Sequence, residues 1–414
     1  MRKAADGIVA KLRRCGYDAF FAGGWVRDFL LGRRARDIDI ATNALPETVQ
    51  ELFPNSRAIG AAFGVVQVRR YGHAFEVATF RCDHDYRDGR HPEKVTFSTA
   101  EADASRRDFT INGLFYDPMA KRLIDYVGGH DDLRQKIIRA IGDASRRFAE
   151  DKLRMLRAIR FACELGFSID RETWNAVSHY SRDISAVSRE RIRDEFFKVL
   201  TGPDPGRGLD LLLESGLLTQ ILPEVARSRN ETVYTAARDT VSSLRRPSSS
   251  LAMGALLYRF GTPENIESIC RRLKMSNEEI ARTVDLVSSR DVFDNPDVVS
   301  KSTRIRMLRK PNHDDHLQLL RACLLADRQS LARHTRWRRE LKAWQQSPPP
   351  LPLIDGDALI ALGCKPGPIF REILQTVEDL QYEGVLTTRP EALRYVRSHY
   401  IENKDDGSCG RQLK

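Results

Sequence analysis

The chain has 414 residues, 41% of them hydrophobic, and a formal net charge of +10. A mean hydropathy of −0.44 and the lack of any apolar run near the ~20 residues of a membrane helix argue against an integral membrane protein. Seven scattered cysteines with no Cys-x-x-Cys spacing argue against a zinc ribbon or a thioredoxin-type site and predict reduced thiols. The length allows roughly two to four domains, and the basic balance points to a polyanionic partner, nucleic acid first.

In chain order, MRKAADGIVAKLRR reads as a first helix and carries no continuous apolar segment of a signal peptide, which predicts a cytoplasmic protein. DAFFA, DIDIAT, GVVQVRRYG and AFEVATFR alternate β-branched or aromatic residues and predict strands. PETVQELF, opened by Pro46, predicts a helix between the second and third. After Asp125 helical periods dominate and no second sheet is expected. The expected fold class is therefore α+β: a small head of mixed sheet and helices, followed by a helical neck, body and tail. The expected boundaries are 1–125, 126–223, 224–347 and 348–414. The last of these follows SPPPLP at 347–352, where consecutive prolines force an extended segment.

The segment AGGWVRDFLLGRRARDIDIAT concentrates the chemistry. Gly23 and Gly24 between strand and helix let the backbone approach a ligand. On a strand, Asp37 and Asp39 share one face while Ile38 and Ile40 point into the core. Two like charges side by side are unfavourable unless a cation lies between them. Glu76, inside the apolar strand AFEVATFR, could complete a three-carboxylate cluster for two Mg2+ ions, the arrangement that serves phosphoryl transfer. Further on, EDKLRMLRAIRF predicts one helix with Glu150, Arg154 and Arg157 at i, i+4 and i+7 and Asp151 beside them. A carboxylate acceptor beside an Arg donor matches the amino edge of cytosine or adenine and repels the carbonyl that uracil or guanine presents there. In SRERIRDEF, Arg191 and Glu195 at i, i+4 predict a pair on one helix, a neck scaffold.

GGWVRD followed by RRARDIDIAT resembles the first signature of the class II tRNA nucleotidyltransferase and bacterial poly(A) polymerase family. SRRDFTINGLFYDP, LIDYVGGHDDL, FAEDKLRMLRAIRFACELGF and SRERIRDEF resemble its later motifs, in order, over about half the chain. The resemblance implies a nucleotide site on Gly23, Gly24, Arg27 and Asp28. It places Asp108 at the ribose, with Arg107 and Asn112 as neighbours, and assigns base selection to Asp151 and Arg154, with Glu150 and Arg157 as supports. It implies a Mg2+-dependent enzyme using CTP and ATP to extend the 3′ end of tRNA by CCA, with release of pyrophosphate. An enzyme that adds only A, a poly(A) polymerase and an inactive RNA-binding protein are the alternatives. The polar, turn-bearing segment from Cys82 to Ser105 corresponds to a loop linked in the family to the change from C to A addition. In the distal half, Arg333, Arg336, Trp337, Arg338 and Arg339 on one helix read equally well as a solvated face or an RNA contact. PNHDDH at 311–316 offers a His-Asp pair without evident further metal ligands.

Overall fold

The computed structural model describes residues 1–402 apart from 36, 61–63, 87–91, 229 and 347–350; for 60, 83–86 and 92–95 it describes the backbone alone. Two compact units emerge. The first comprises Met1–Ser242 with Ser268–Asn277, the second Ser243–Glu267 with the chain from Glu278 on.

The first unit opens with α1 (Arg2–Arg14) and β1 (Ala19–Ala22). Then come α2 (Gly24–Leu30), β2 (Asp39–Thr42), α3 (Pro46–Leu52) and β3 (Ser56–Gly60). Strands β4 (Val65–Arg70) and β5 (His73–Thr79) form a hairpin, and β8 (Phe115–Asp117) and β9 (Arg122–Ile124) another. Together these make a seven-stranded sheet in the order β3-β4-β5-β2-β1-β8-β9. The pair β2–β5 is parallel and β1–β2 antiparallel, so the sheet is mixed. Alternation along β1 sends Phe21 to the core under α1, with Ile8, Leu12, Val26, Ile38, Ile40 and Val77, and sends Phe20 to the other face, with Phe80 and Phe115. Ile38 and Ile40 thus anchor the strand from below and leave Asp37 and Asp39 exposed, as the alternation requires.

The polar segment from Cys82 onward is not a loop throughout. Strands β6 (Arg81–Tyr86) and β7 (Pro92–Phe97) pair antiparallel in a sheet of their own, and Ala100–Ser105 forms a short helix capped by Thr99. The Asp88-Gly89 turn signal falls outside the described residues.

The helical part of this unit carries α6 (Ala144–Glu150), α7 (Leu153–Leu165), α8 (Arg171–Tyr180), α9 (Arg189–Leu200) and α10 (Pro205–Glu214); the two helices between β7 and α6, Ala100–Ser105 and Gly129–Gln135, are α4 and α5. A two-residue parallel ladder, Ile137–Ile138 with Ser168–Ile169, adds a small sheet that the helical periods did not reveal. The expected single helix over EDKLRMLRAIRF is broken. Asp151 is extended (φ −144°, ψ 103°) between α6 and α7, and its Oδ1 accepts from the Leu153 amide at 3.0 Å. An Asp side chain that satisfies a free amide at a helix start competes with the helix itself.

The second unit is helical. Phe293, Leu308, Leu317, Leu320, Leu324, Trp337 and Leu341 form one core cluster, and the chain from Leu353 to Tyr400 closes another of its own around Leu359, Ile373 and Val377. Among the described residues, the six cysteines form no disulfide. Among the described residues, no helix is long and apolar enough to cross a membrane.

Candidate active site

The register of the sheet assembles the acidic edge. Ala22 pairs with Asp39, and Ile40 with Val77, so Asp39 lies one step from both the Gly23 turn and Glu76 on β5. Desolvation, then the charges of Asp37 and Glu76, push the Asp39 carboxyl up to about 6, against the opposing pull of Arg107. Carboxylate oxygens gathered at one edge are the donor type that a hard divalent cation takes, and in that respect these residues fit a metal ion. Among the described residues no three acidic, His or Cys side chains stand in closed ligand spacing, so the convergence is one of charge and not of a finished cage.

Beside Asp39 opens a cavity of about 530 Å3. It is lined by Gly23, Gly24, Arg27, Asp39, Arg107, Asp108, Asn112, Asp151, Arg154 and Arg157, ten of the residues expected from sequence. Arg106, Leu153, Phe161 and Arg191 line it too and were not expected. Asp28 and Glu150 stand behind the wall as partners of Arg27 and Arg154, and Asp37 and Glu76 stay exposed at the acidic edge. Gly23 has φ +65°, and a Cβ there would come within 2.8 Å of the Arg107 guanidinium, so this turn admits only glycine without displacement.

One side of the cavity is a saturated network. Asp108 Oδ1 accepts from the Phe109 amide at 2.8 Å and from Asn112 Nδ2 at 3.0 Å. Its Oδ2 accepts from Arg157 Nε at 2.8 Å and Nη2 at 2.5 Å. Burial opposes ionisation, but Arg157 and Asn112 prevail and hold the Asp108 carboxyl down at about 2. Asn112 Oδ1 in turn accepts from Arg27 Nη1 at 2.8 Å. About four acceptor sites exist on a carboxylate, so a ribose hydroxyl can be received by Asp108 only by displacing one of these donors. Arg106 and Arg107 are both held from behind by Asp103, which is 1% exposed, at 2.7 and 2.9 Å.

The opposite side is unsaturated. Asp151 uses Oδ1 for the Leu153 amide and Oδ2 for Arg191 Nη2 at 2.8 Å, which leaves two acceptor sites. Arg154 Nη1 donates to Glu150 at 2.8 Å and to the Arg147 carbonyl at 3.0 Å, and Nη2 to the Arg106 carbonyl at 3.1 Å. Its Nε–H and second Nη2–H remain without a partner among the described residues. The expected intrahelical pair of Arg191 with Glu195 does not form. Arg191 reaches Asp151 across the neck, and Glu195 takes Arg160 at 2.6 Å and Lys198 at 2.8 Å. The i, i+4 spacing concealed this, because it offered Arg191 a nearer partner. The five residues expected to share the helix Ala332–Gln346, four arginines and Trp337, divide instead. Trp337 is in the core, donating to the Phe293 carbonyl at 3.1 Å, while Arg333, Arg336 and Arg338 are engaged in ion pairs.

The sequence matches the poly(A) polymerase head domain over residues 19–139, an RNA- and SrmB-binding region of polymerase A over 166–228, and tRNA nucleotidyltransferase domain 2 over 245–396. It is 34% identical to the CCA-adding enzyme of Anoxybacillus flavithermus over 381 residues, 91% of each chain. The chain belongs to the CCA-adding enzyme family. The family member from Geobacillus stearothermophilus is 45% identical over 234 residues, a stretch that spans only 57% of that protein's length and 56% of this chain. The solved Bacillus stearothermophilus CCA-adding enzyme in complex with CTP is similar over 98% of both chains, with a TM-score of 0.79 and 29% identity. The Thermotoga maritima CCA-adding enzyme complexed with tRNA shares the fold at a TM-score of 0.67 and 21% identity, over 95% of this chain and 94% of that one. Family membership implies a nucleotidyltransferase that works with a divalent cation.

Proposed function

We propose that the chain adds C, C and A to the 3′ end of tRNA from CTP and ATP, without a nucleic-acid template, and releases pyrophosphate. The observation that carries this reading is the unsaturated wall: two acceptor sites on Asp151 beside two donor hydrogens on Arg154. That pair complements an exocyclic amino group next to a ring nitrogen, the edge that cytosine and adenine have in common. Uracil and guanine would set a carbonyl oxygen against the carboxylate.

On this reading the terminal 3′-hydroxyl attacks the α-phosphate of the bound triphosphate, and the bond to pyrophosphate breaks. Arg27 and Arg107, beside the Gly23–Gly24 turn, face the triphosphate. Asp108 takes the ribose 2′-hydroxyl in exchange for one of its present donors, which favours a ribonucleotide. Asp37 and Asp39, with Glu76 beside them, would hold Mg2+, which when bound activates the attacking oxygen and neutralises the leaving one. Residues 1–125 supply this chemistry, 126–223 the base selection, 224–347 the body, and 348–414 a grip on tRNA in the cytoplasm. The CTP and tRNA complexes of the similar enzymes support these partners.

The test uses three tRNAs, ending before CCA, after C and after CC. The enzyme should complete each to CCA and stop. Extension of the CC-ended tRNA alone would identify an A-adding specialist, and long A tracts on unrelated RNA a poly(A) polymerase.

A further inference from the structure

Phe161 belongs to none of the residues expected at the site, yet three arginines meet over its ring, two of which, Arg27 and Arg157, line the cavity. It projects from α7 into the wall and is 5% exposed. The guanidinium carbon of Arg160 lies 3.9 Å from the ring centroid, that of Arg27 5.2 Å and that of Arg157 5.3 Å. Phe109, the neighbour of Asp108, packs edge-on at 5.8 Å and 81° and fixes the ring plane. Three like charges within reach of one centroid repel one another. Carboxylates offset this at the guanidinium edges: Asp28 for Arg27, Asp108 for Arg157, and Glu164 and Glu195 for Arg160. The ring adds to these pairs, because its negative face attracts the cations lying over it.

We propose that Phe161 is a positioning residue for the nucleoside triphosphate: its ring holds Arg27 from the head and Arg157 from the neck in place in one cavity. The inference rests on the cavity being the nucleotide site. It explains why an aromatic residue occupies this place. An aliphatic side chain of similar size would fill the volume equally well but would leave the two cavity arginines with only their edge contacts. Arg27 faces the triphosphate end, and Arg157 holds Asp108 at the ribose end. A weakened ring should therefore cost both CTP affinity and the preference for CTP over dCTP.

Ring fluorination separates this role from packing, since each fluorine drains the quadrupole with little change in size and no loss of apolar character. The full-length enzyme would carry phenylalanine, monofluoro-, difluoro- or trifluorophenylalanine at position 161, with CTP and dCTP binding followed by calorimetry and unfolding by thermal melt. CTP affinity should fall stepwise with fluorine number, to about tenfold at three fluorines. The CTP-to-dCTP ratio should fall with it while the melting temperature holds. Affinities that stay flat across the series, or that track the melting temperature alone, would overturn the role of the ring. Failure of the unsubstituted enzyme to bind CTP at all would instead overturn the nucleotide site itself.

Discussion

Two carboxylates, one in each unit, are both disfavoured as ions by desolvation and end in opposite states. For Asp39, exposed at the surface but walled by neighbouring atoms, and for Asp285, desolvation is the first influence. Asp39 then meets Asp37 and Glu76 and is pushed up to about 6. Asp285 meets His316 at 2.9 Å, Asn312 at 3.0 Å and Lys310, and is held well below the ordinary carboxylate range. His316 itself is 2% exposed and stacks on Phe293 at 4.8 Å, so the His-Asp motif of the sequence ties together elements of a helical core. A charge left uncompensated in a cleft marks a place for a ligand; a charge answered on every side marks a scaffold. The arginines divide the same way. Arg154 keeps donors free toward the cavity among the described residues, whereas Arg338 is paired with Asp314 at 3.4 Å on the surface.

The comparison breaks most readily at Asp39. Asp39→Asn should lower single-turnover CTP incorporation by about a thousandfold or more, because metal-ion stabilisation of the transition state is worth several kcal/mol. The same variant should be more stable than the parent in metal-free buffer above pH 6. A folded pKa raised above the unfolded value means that stability is lost as pH climbs through the interval from about 4 to 6. Near-normal turnover, or a lower melting temperature at pH 8, would show that Asp39 is answered after all.

The saturated side of the cavity should behave oppositely under acid. The folded pKa of Asp108, about 2, lies below the unfolded value near 3.9. Its stabilisation is therefore complete above pH ~4 and disappears as pH falls from ~4 to ~2. It is worth about 2–3 kcal/mol. Asp108→Asn should flatten the acid limb of stability in that window, and a limb unchanged by the substitution would show that the network does not hold the carboxylate.

The smallest effect belongs to the distal surface. Arg338→Ala should cost below about 1 kcal/mol of stability, as an exposed ion pair does, and leave CTP affinity untouched.

Much of this contrast was already legible in the sequence, and the part that was not has physical causes. The β-branched and aromatic runs of β1, β2, β4 and β5 were readable because β4 and β5 bury alternate residues and β1 and β2 are buried almost throughout, with Asp39 left exposed at the start of β2. β3, β8, β9 and the β6–β7 hairpin went unread, being short or polar. The motif residues that meet in the cavity were found. Their division of labour was not, since it depends on bonds that cross the chain: Arg157 to Asp108 and Arg191 to Asp151, 49 and 40 residues apart. The break at Asp151 escaped because Asp serves equally in a helix's first turn and as its cap. Phe161 escaped because core and platform look alike until the three arginines are in place.

The central claim, that amino-acid side chains in this one cavity choose the base, is tested most directly by equilibrium binding of CTP, ATP, UTP and GTP to the enzyme without RNA, repeated with Arg154→Ala. The account predicts that CTP and ATP bind more tightly than UTP and GTP, by about tenfold or more for a bidentate contact of roughly 1–3 kcal/mol, and that the preference collapses in the variant. Equal binding of all four by the parent enzyme, or a preference that survives loss of Arg154, would contradict it.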